Sequence, residues 1–155
     1  MRPLLLVALL SLQLEGQEFL KKSLRNLPIF KVLVDVTDAE GRVSADRVRT
    51  IGELRLRRNG IRFTQATEHT DSYLHIGVHM VCNQQSVCAL RVSVAVHKFI
   101  EDGEQRVDAM IYEDDRLGLG GRSQIENTLS RYVEESIDAF SNHFLEMNPS
   151  RRREE

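Results

Sequence analysis

One stretch limits the folds open to this chain more than any other. In YLHIGVHMVC (73–82) and CALRVSVAVHK (88–98) the even positions up to 96 are all apolar: Leu74, Ile76, Val78, Met80 and Cys82, then Cys88, Leu90, Val92, Val94 and Val96. The odd positions are far more polar and include His75, His79, Arg91, Ser93 and His97. Successive side chains of a strand point to opposite faces, so a period of two predicts strands with one dry face. Two such arms around NQQSV (83–87) predict an antiparallel hairpin whose even face lies on a core. Setting Cys82 opposite Cys88 fixes the register. His79 then faces Arg91, His75 faces Ala95, and Tyr73 faces His97.

The flanking segments supply the rest of a fold. IFKVLVDVT (29–37) also alternates and reads as a strand, followed by a turn at DAEG (38–41). Ser44 is a good N-cap and Asn59-Gly60 a good stop, so 45–58 reads as a helix with Val48, Ile51 and Leu54 on its inner side. Within it LRLR (54–57) alternates as a strand would, and the caps decide for helix. IRFTQ (61–65) is the next strand, parallel to the first, because a strand–helix–strand unit returns that way. After the hairpin come a turn at EDGEQ (101–105), a strand over 106–115, and RLGLGG (116–121) as a flexible connection. The closing helix shows the clearest period of 3.6, through Ile125, Leu129, Tyr132, Val133, Ile137, Phe140, Phe144 and Met147. Ser123 and Glu126 suggest a capping box at its start, and Asn148-Pro149 ends it.

The order is β-α-β-β-β-β-α. Two amphipathic helices need apolar surface and the sheet offers one apolar face. The expected class is therefore α+β, a two-layer sandwich of an approximately five-stranded mixed sheet with two helices on one face.

The N-terminus points to export. Arg2 precedes an apolar run from Leu4 to Leu12, and polar residues follow. That run has the length of a signal-peptide core and is too short to span a bilayer, which takes about 20 apolar residues. The expected division is a signal peptide over 1–16, a linker or short helix over 17–28, one α+β domain over 29–149, and a disordered tail over 150–155. No cysteine follows the apolar run, so no lipid-bearing cysteine is expected there, and no transmembrane segment is expected in the mature chain. The expected location is secreted or periplasmic. A net charge of −2 gives no electrostatic case for a nucleic-acid partner.

Few residues suggest chemistry. Cys82 and Cys88 have neither redox nor zinc-ribbon spacing. Facing across a hairpin in an exported protein, they predict a structural disulfide; in a reducing compartment they would be free buried thiols. His75 and His79 share a face but lie about 13 Å apart along a strand, too far to hold one ion. His75 is diagonal to His97, roughly 7–8 Å at the backbone, which makes these two the weak candidates for a metal. No third ligand is nominated by spacing, and no cofactor is implied. His69 and His143 read as surface or boundary residues. Acid clusters at 35–40, 101–104 and 112–115 match no calcium loop, and GLGG (118–121) lacks the lysine of a phosphate-binding loop. RVRTIGELRLRR (47–58) is locally basic and reads as a solvated helix face.

ELRLRRNGI (53–61), DSYLHIGVHMV (71–81), VSVAVHKFI (92–100) and GLGGRSQIENTLSRYVEESIDAFSNHFLEMNP (118–149) together resemble a family of small, secreted, uncharacterised bacterial proteins. The resemblance spans about residues 29–149. It departs at Cys82 and Cys88, which are not part of that pattern, and in a hairpin poorer in tyrosine. It implies a secreted α+β domain of bacterial origin and no activity.

The favoured expectation is a non-enzymatic secreted or periplasmic binding or assembly domain. Its partner would be an unknown protein or envelope component, met through the hairpin face of His75, His79, Arg91 and His97. The alternatives are a metal- or small-ligand-binding protein using His75 and His97, and a small secreted hydrolase with an acidic site at Asp114 or Asp115.

Overall fold

A computed structural model describes residues 23–28, 30–38, 40–64, 70–103 and 105–149. The expected signal peptide, most of the expected linker, the charged tail and His69 lie outside the described residues. The elements are β1 (Phe30–Asp38), α1 (Ala45–Arg58), β2 (Phe63–Thr64), β3 (Ser72–Cys82), β4 (Val87–Asp102), β5 (Gln105–Gly121) and α2 (Ile125–Met147). The strands form one mixed sheet in the order β2-β1-β3-β4-β5. β1 runs parallel to both β2 and β3, whereas β3, β4 and β5 are successively antiparallel. This is the expected two-layer α+β sandwich.

The hairpin pairs as the alternation requires. Cys82 faces Cys88, His79 faces Arg91, His75 faces Ala95 and Tyr73 faces His97. The even side chains are buried from Leu74 to Met80 and from Cys88 to Val96. They form one core with α2, where Ile125, Leu129, Val133, Ile137, Phe140 and Phe144 are buried at helical spacing. The Phe140 ring lies 5.6 Å from Phe30, 5.7 Å from Tyr112 and 5.7 Å from Phe144. It therefore ties α2 to both β1 and β5.

The helices also meet each other, along a polar seam. Arg55 forks onto Asp138 and lies 3.7 Å from Glu134, while the Asn59 amide donates to Asp138 at 2.9 Å and to Ser141 at 3.0 Å. Arg55 holds the Asp138 carboxyl below its usual range, against the opposing effect of burial. Arg47 bonds Glu126, and Arg57 bonds Glu53 and lies over Phe63. Much of the basic stretch is thus engaged with acids on the helix layer.

Caps and turns follow local chemistry. Ser44 caps α1 by accepting from the Arg47 amide at 3.2 Å. Asp38 closes the β1–α1 turn by accepting from the amides of Glu40, Arg42 and Val43, at 3.0, 2.6 and 3.0 Å. Burial raises its pKa, but those three amides and the Arg42 charge outweigh burial and hold it below the usual value. Asn148, just past α2, is a clasp. Its Oδ1 accepts from the Asn26 amide at 2.8 Å, and its Nδ2 donates to the carbonyls of Leu24 and Phe144 at 2.9 and 2.8 Å. Leu24 and Leu27 are buried beside it.

Four local expectations are corrected. RLGLGG is not a flexible connection: β5 runs on through it to Gly121, because residues 116–121 pair with Val92 back to Val87. Gly118 permits this, since a Cβ there would lie 2.8 Å from the Tyr132 ring. The capping box does not form. α2 is capped at Gln124 without a side-chain bond, and Glu126 turns to Arg47 instead. Val48 is buried on the inner side of α1 and Ile51 packs half-buried against the core, but Leu54 is exposed and Gly52 and Leu56 are buried, so the second leucine of LRLR is the core residue. The strand expected over 61–65 is cut to two residues within the described part.

Candidate functional site

The helices cover one face of the sheet. Among the described residues no element covers the other, and the register gives that outer face as a set of rows. Thr37, His79, Arg91 and Leu117 form one row across β1, β3, β4 and β5. Asp35, Gly77, Ser93 and Asp115 form the next, followed by Leu33, His75, Ala95 and Glu113. Toward the closed end of the hairpin, a shorter row of Val81, Ala89 and Leu119 completes the face. The four hairpin residues expected on a contact face, His75, His79, Arg91 and His97, do share it. Their roles divide, because the two ends of the face differ in chemistry.

The end away from the hairpin loop carries a polar and aromatic network. Tyr73 stacks on His97 with ring centres 4.7 Å apart and planes 7° from parallel. The Tyr73 hydroxyl donates to Asp108 Oδ2, and His97 Nδ1 lies 3.1 Å from Asp108 Oδ1. A carboxylate only accepts, so the Nδ1 proton faces Asp108 and Nε2 is the free nitrogen. Burial, then the hydrogen bond to Asp108 and its charge, push the Tyr73 hydroxyl up to about 12. Arg106 lies over Phe99 with its guanidinium 4.3 Å from the ring centre.

This network exists because of one extra residue. Val96 pairs with Tyr112 and His97 with Met110, so Ile111 is a β-bulge. The bulge switches the alternation of β5. Without it Asp108 would face the helices; with it Asp108 reaches the outer face beside Tyr73 and His97.

His75 stands edge-on to His97 with ring centres 6.2 Å apart. Burial lowers its pKa, His97 and His79 act in the same direction, and Asp35 opposes them. The unfolded chain therefore binds this proton more tightly than the folded one. Stability should rise with pH through the window below the ordinary histidine value of about 6.5 and should be lower in acid. In His75→Gln the slope of unfolding midpoint against pH between about pH 5 and 6.5 should flatten. An unchanged slope would mean that His75 titrates alike in both states.

The end at the hairpin loop is apolar. Val81, Leu117 and Leu119 are 66%, 77% and 78% exposed. With Ala89 and the flanks of His79 and Arg91 they line a shallow depression. Single exposed leucines are ordinary, but a contiguous patch with a polar rim marks a contact surface. Between the two ends Arg91 makes a fork onto Asp115, with Nε at 3.0 Å and Nη2 at 2.7 Å, and Glu113 lies 3.5 Å away. Sequence reasoning missed Leu117 and Leu119 because glycines on both sides disguised the strand. The alternation of leucine and glycine through RLGLGG was the available signal.

Cys82 and Cys88 are joined by a disulfide beneath this end. Cys88 is fully buried. In the chain-entropy treatment a loop this short contributes about 2 kcal/mol. Replacing both cysteines with serine should therefore lower the unfolding free energy by about 2 kcal/mol, measured by urea titration, and reductant should do the same to the native chain.

The other candidates are not assembled into a site. Asp114 and Asp115 point to opposite faces, Asp114 toward Arg116 on the helix side at 3.3 Å and Asp115 to Arg91 outside. They do not form the carboxylate pair that a hydrolase would use. Among the described residues no group of three or more histidine, cysteine or acidic side chains is placed to hold a metal ion. His143 packs edge-on to Tyr112 at 5.8 Å, away from the other histidines. No described helix is long and apolar enough to cross a membrane.

No protein-family profile matches the chain, and no curated protein matches it. Eight solved chains do, among them a minor lipoprotein from Acinetobacter baumannii. The two are 14% identical with a TM-score of 0.37, over 76% of this chain and 92% of that one.

Proposed function

We propose that this chain is a secreted or periplasmic binding or assembly domain, not an enzyme, and that it meets another envelope component through the outer face of its sheet. The observation that carries the reading is the uncovered face itself. It sets exposed Val81, Leu117 and Leu119 beside a rigid polar frame built from Arg91, Asp115, Tyr73, His97 and Asp108. An apolar patch beside hydrogen-bonded polar groups is how a contact surface combines affinity with orientation. The signal-like N-terminus and the hairpin disulfide fit an oxidising compartment. The expected division into a leader, one α+β domain over 29–149 and a charged tail belongs to the same reading.

Two measurements test it. The exported chain should begin near Gln17 and weigh about 2 Da less than its reduced mass, as one disulfide requires. An uncut, fully reduced chain would contradict export. Cross-linking in intact cells should then give the same adducts for native chain and for a helix-layer control such as Arg57→Ala. The adducts should disappear when His79, Arg91 and Leu117 are replaced together by alanine. Adducts that persist in the triple variant would sink the outer face as the contact surface.

A further inference from the structure

We infer that the chain forms a two-fold dimer in which the second half of β5 pairs antiparallel with the same segment of another copy, centred on Gly118. Among the described residues β5 is the last strand of the sheet and has β4 on one side only. Half of its backbone donors and acceptors therefore face away from the ladder, ready to pair. The opposite edge strand, β2, has two residues in the described part.

The two halves of β5 are treated differently. Along 105–116 the edge is blunted by devices that proteins use against strand addition. The bulge at Ile111 breaks the regular ladder. The Ser23 hydroxyl donates to the Ile111 carbonyl at 2.6 Å, so the chain itself covers that point. Asp114 and Arg116 turn charge inward, where Arg116 bonds Ser136 and Glu135 at 3.0 Å each. From Leu117 to Gly121 none of these devices is present among the described residues. The Tyr132 hydroxyl reaches the Leu117 carbonyl at 3.5 Å, long for an O–H···O bond, and leaves that acceptor weakly satisfied.

The sequence of this segment suits a second copy of itself. Centring on Gly118 sets Leu117 opposite Leu119 of the second copy, and Leu119 opposite its Leu117, all on the outer face. It sets Arg116 against Gly120 and Asp115 against Gly121, so no like charges meet within the strand. Centring on 114, 115 or 116 instead places Asp114, Asp115 or Arg116 against its own copy, a like-charge clash. The favoured register also runs the row of Val81, Ala89 and Leu119 straight into the second copy. The two exposed apolar patches then become one continuous strip, and the small Gly118 lets the backbones meet at the axis.

The purified protein alone tests this, so the outcome is independent of any envelope partner. Sedimentation velocity should show a concentration-dependent shift from monomer toward dimer. The double variant Leu117→Lys, Leu119→Lys sets lysine against lysine at both positions and should weaken the dimer by at least about 10-fold. Both positions are exposed, so its circular dichroism and melting temperature should match the native protein. Register is read by mixing Leu117→Cys with Leu119→Cys protein under mild oxidation. Cross-linking should be strong in the mixture and weak in either alone. A monomer at every concentration, a dimer that survives both lysines, or a cross-link as strong in either single variant would each overturn the proposal.

Discussion

Phe140→Ala is expected to lower the unfolding free energy by about 3–5 kcal/mol, the range for removing a large aromatic from a rigid core. The ring is fully buried on α2, and Phe30, Tyr112 and Phe144 surround it at 5.6–5.7 Å. Three of the four rings sit on different elements, so no single movement can close the space the phenyl leaves. Part of the loss is the transfer energy of the ring, and the rest is the cavity. Phe140→Leu keeps most of the volume and should lose substantially less. Urea titration of both variants is the check. A loss below about 1 kcal/mol for the alanine variant would mean that α2 is not seated between β1 and β5 as described.

The second large effect is expected at Asn148, a buried polar residue that no pattern of apolar residues would single out. Asn148→Ala should lower stability by about 1–2 kcal/mol, because it removes the acceptor of the half-buried Asn26 amide and one of two donors from each of the Leu24 and Phe144 carbonyls, which keep the Leu27 and Asn148 amides. Asn148→Asp separates the contributions. It keeps an acceptor for the Asn26 amide but has no donor for Leu24 and Phe144, so it should also destabilise, with the Asn26 bond kept. Amide exchange locates the damage. In the alanine variant the Asn26 amide should lose protection far more than the amides of β3 and β4. If protection fell equally everywhere, Asn148 would be supporting the whole core and not the clasp of residues 23–27.

Both sites show what was legible in the sequence. Phe140 lies in a run with an unbroken period of 3.6, and burial follows from that spacing alone. The hairpin was equally legible, since strict alternation on two arms sets the buried face and Cys82 opposite Cys88 picks the register. What sequence could not show are features made by a single residue against a distant one. Ile111 looks like any strand residue, yet as a bulge it decides that Asp108 joins Tyr73 and His97. Ser123 and Glu126 carry a helix-start signature, but Arg47, 79 residues away in the chain, takes the glutamate. Leu54 and Leu56 differ only in phase, and Gly52 settles it. α1 lies so close to β3 there that a Cβ at Gly52 would sit 2.5 Å from Ile76, and this brings Leu56 to the sheet.

The parallel placement of β1 beside β3 was also beyond the sequence reading. Strand–helix–strand logic predicted β1 beside β2, which is correct, but not that β1 would lie between β2 and β3. Its consequence for the candidate face is direct. Asp35 and Thr37 become the neighbours of Gly77 and His79, and Asp35 is the charge that partly sustains protonation of His75.

The clasp at Asn148 also fixes how this unit can be tethered. Its side chain joins the start of the described chain, at Asn26, to the end of the last helix. The first and last described residues are therefore held together beside the helix layer. That layer lies on the sheet face opposite the row of Val81, Ala89 and Leu119. A surface, a label or a fused domain attached at either end would hold the unit like a plate by its back, with the bare side of the sheet turned outward. Joining the two ends by a short linker and opening the chain in the 101–105 turn should accordingly yield a circular permutant with the same face on view.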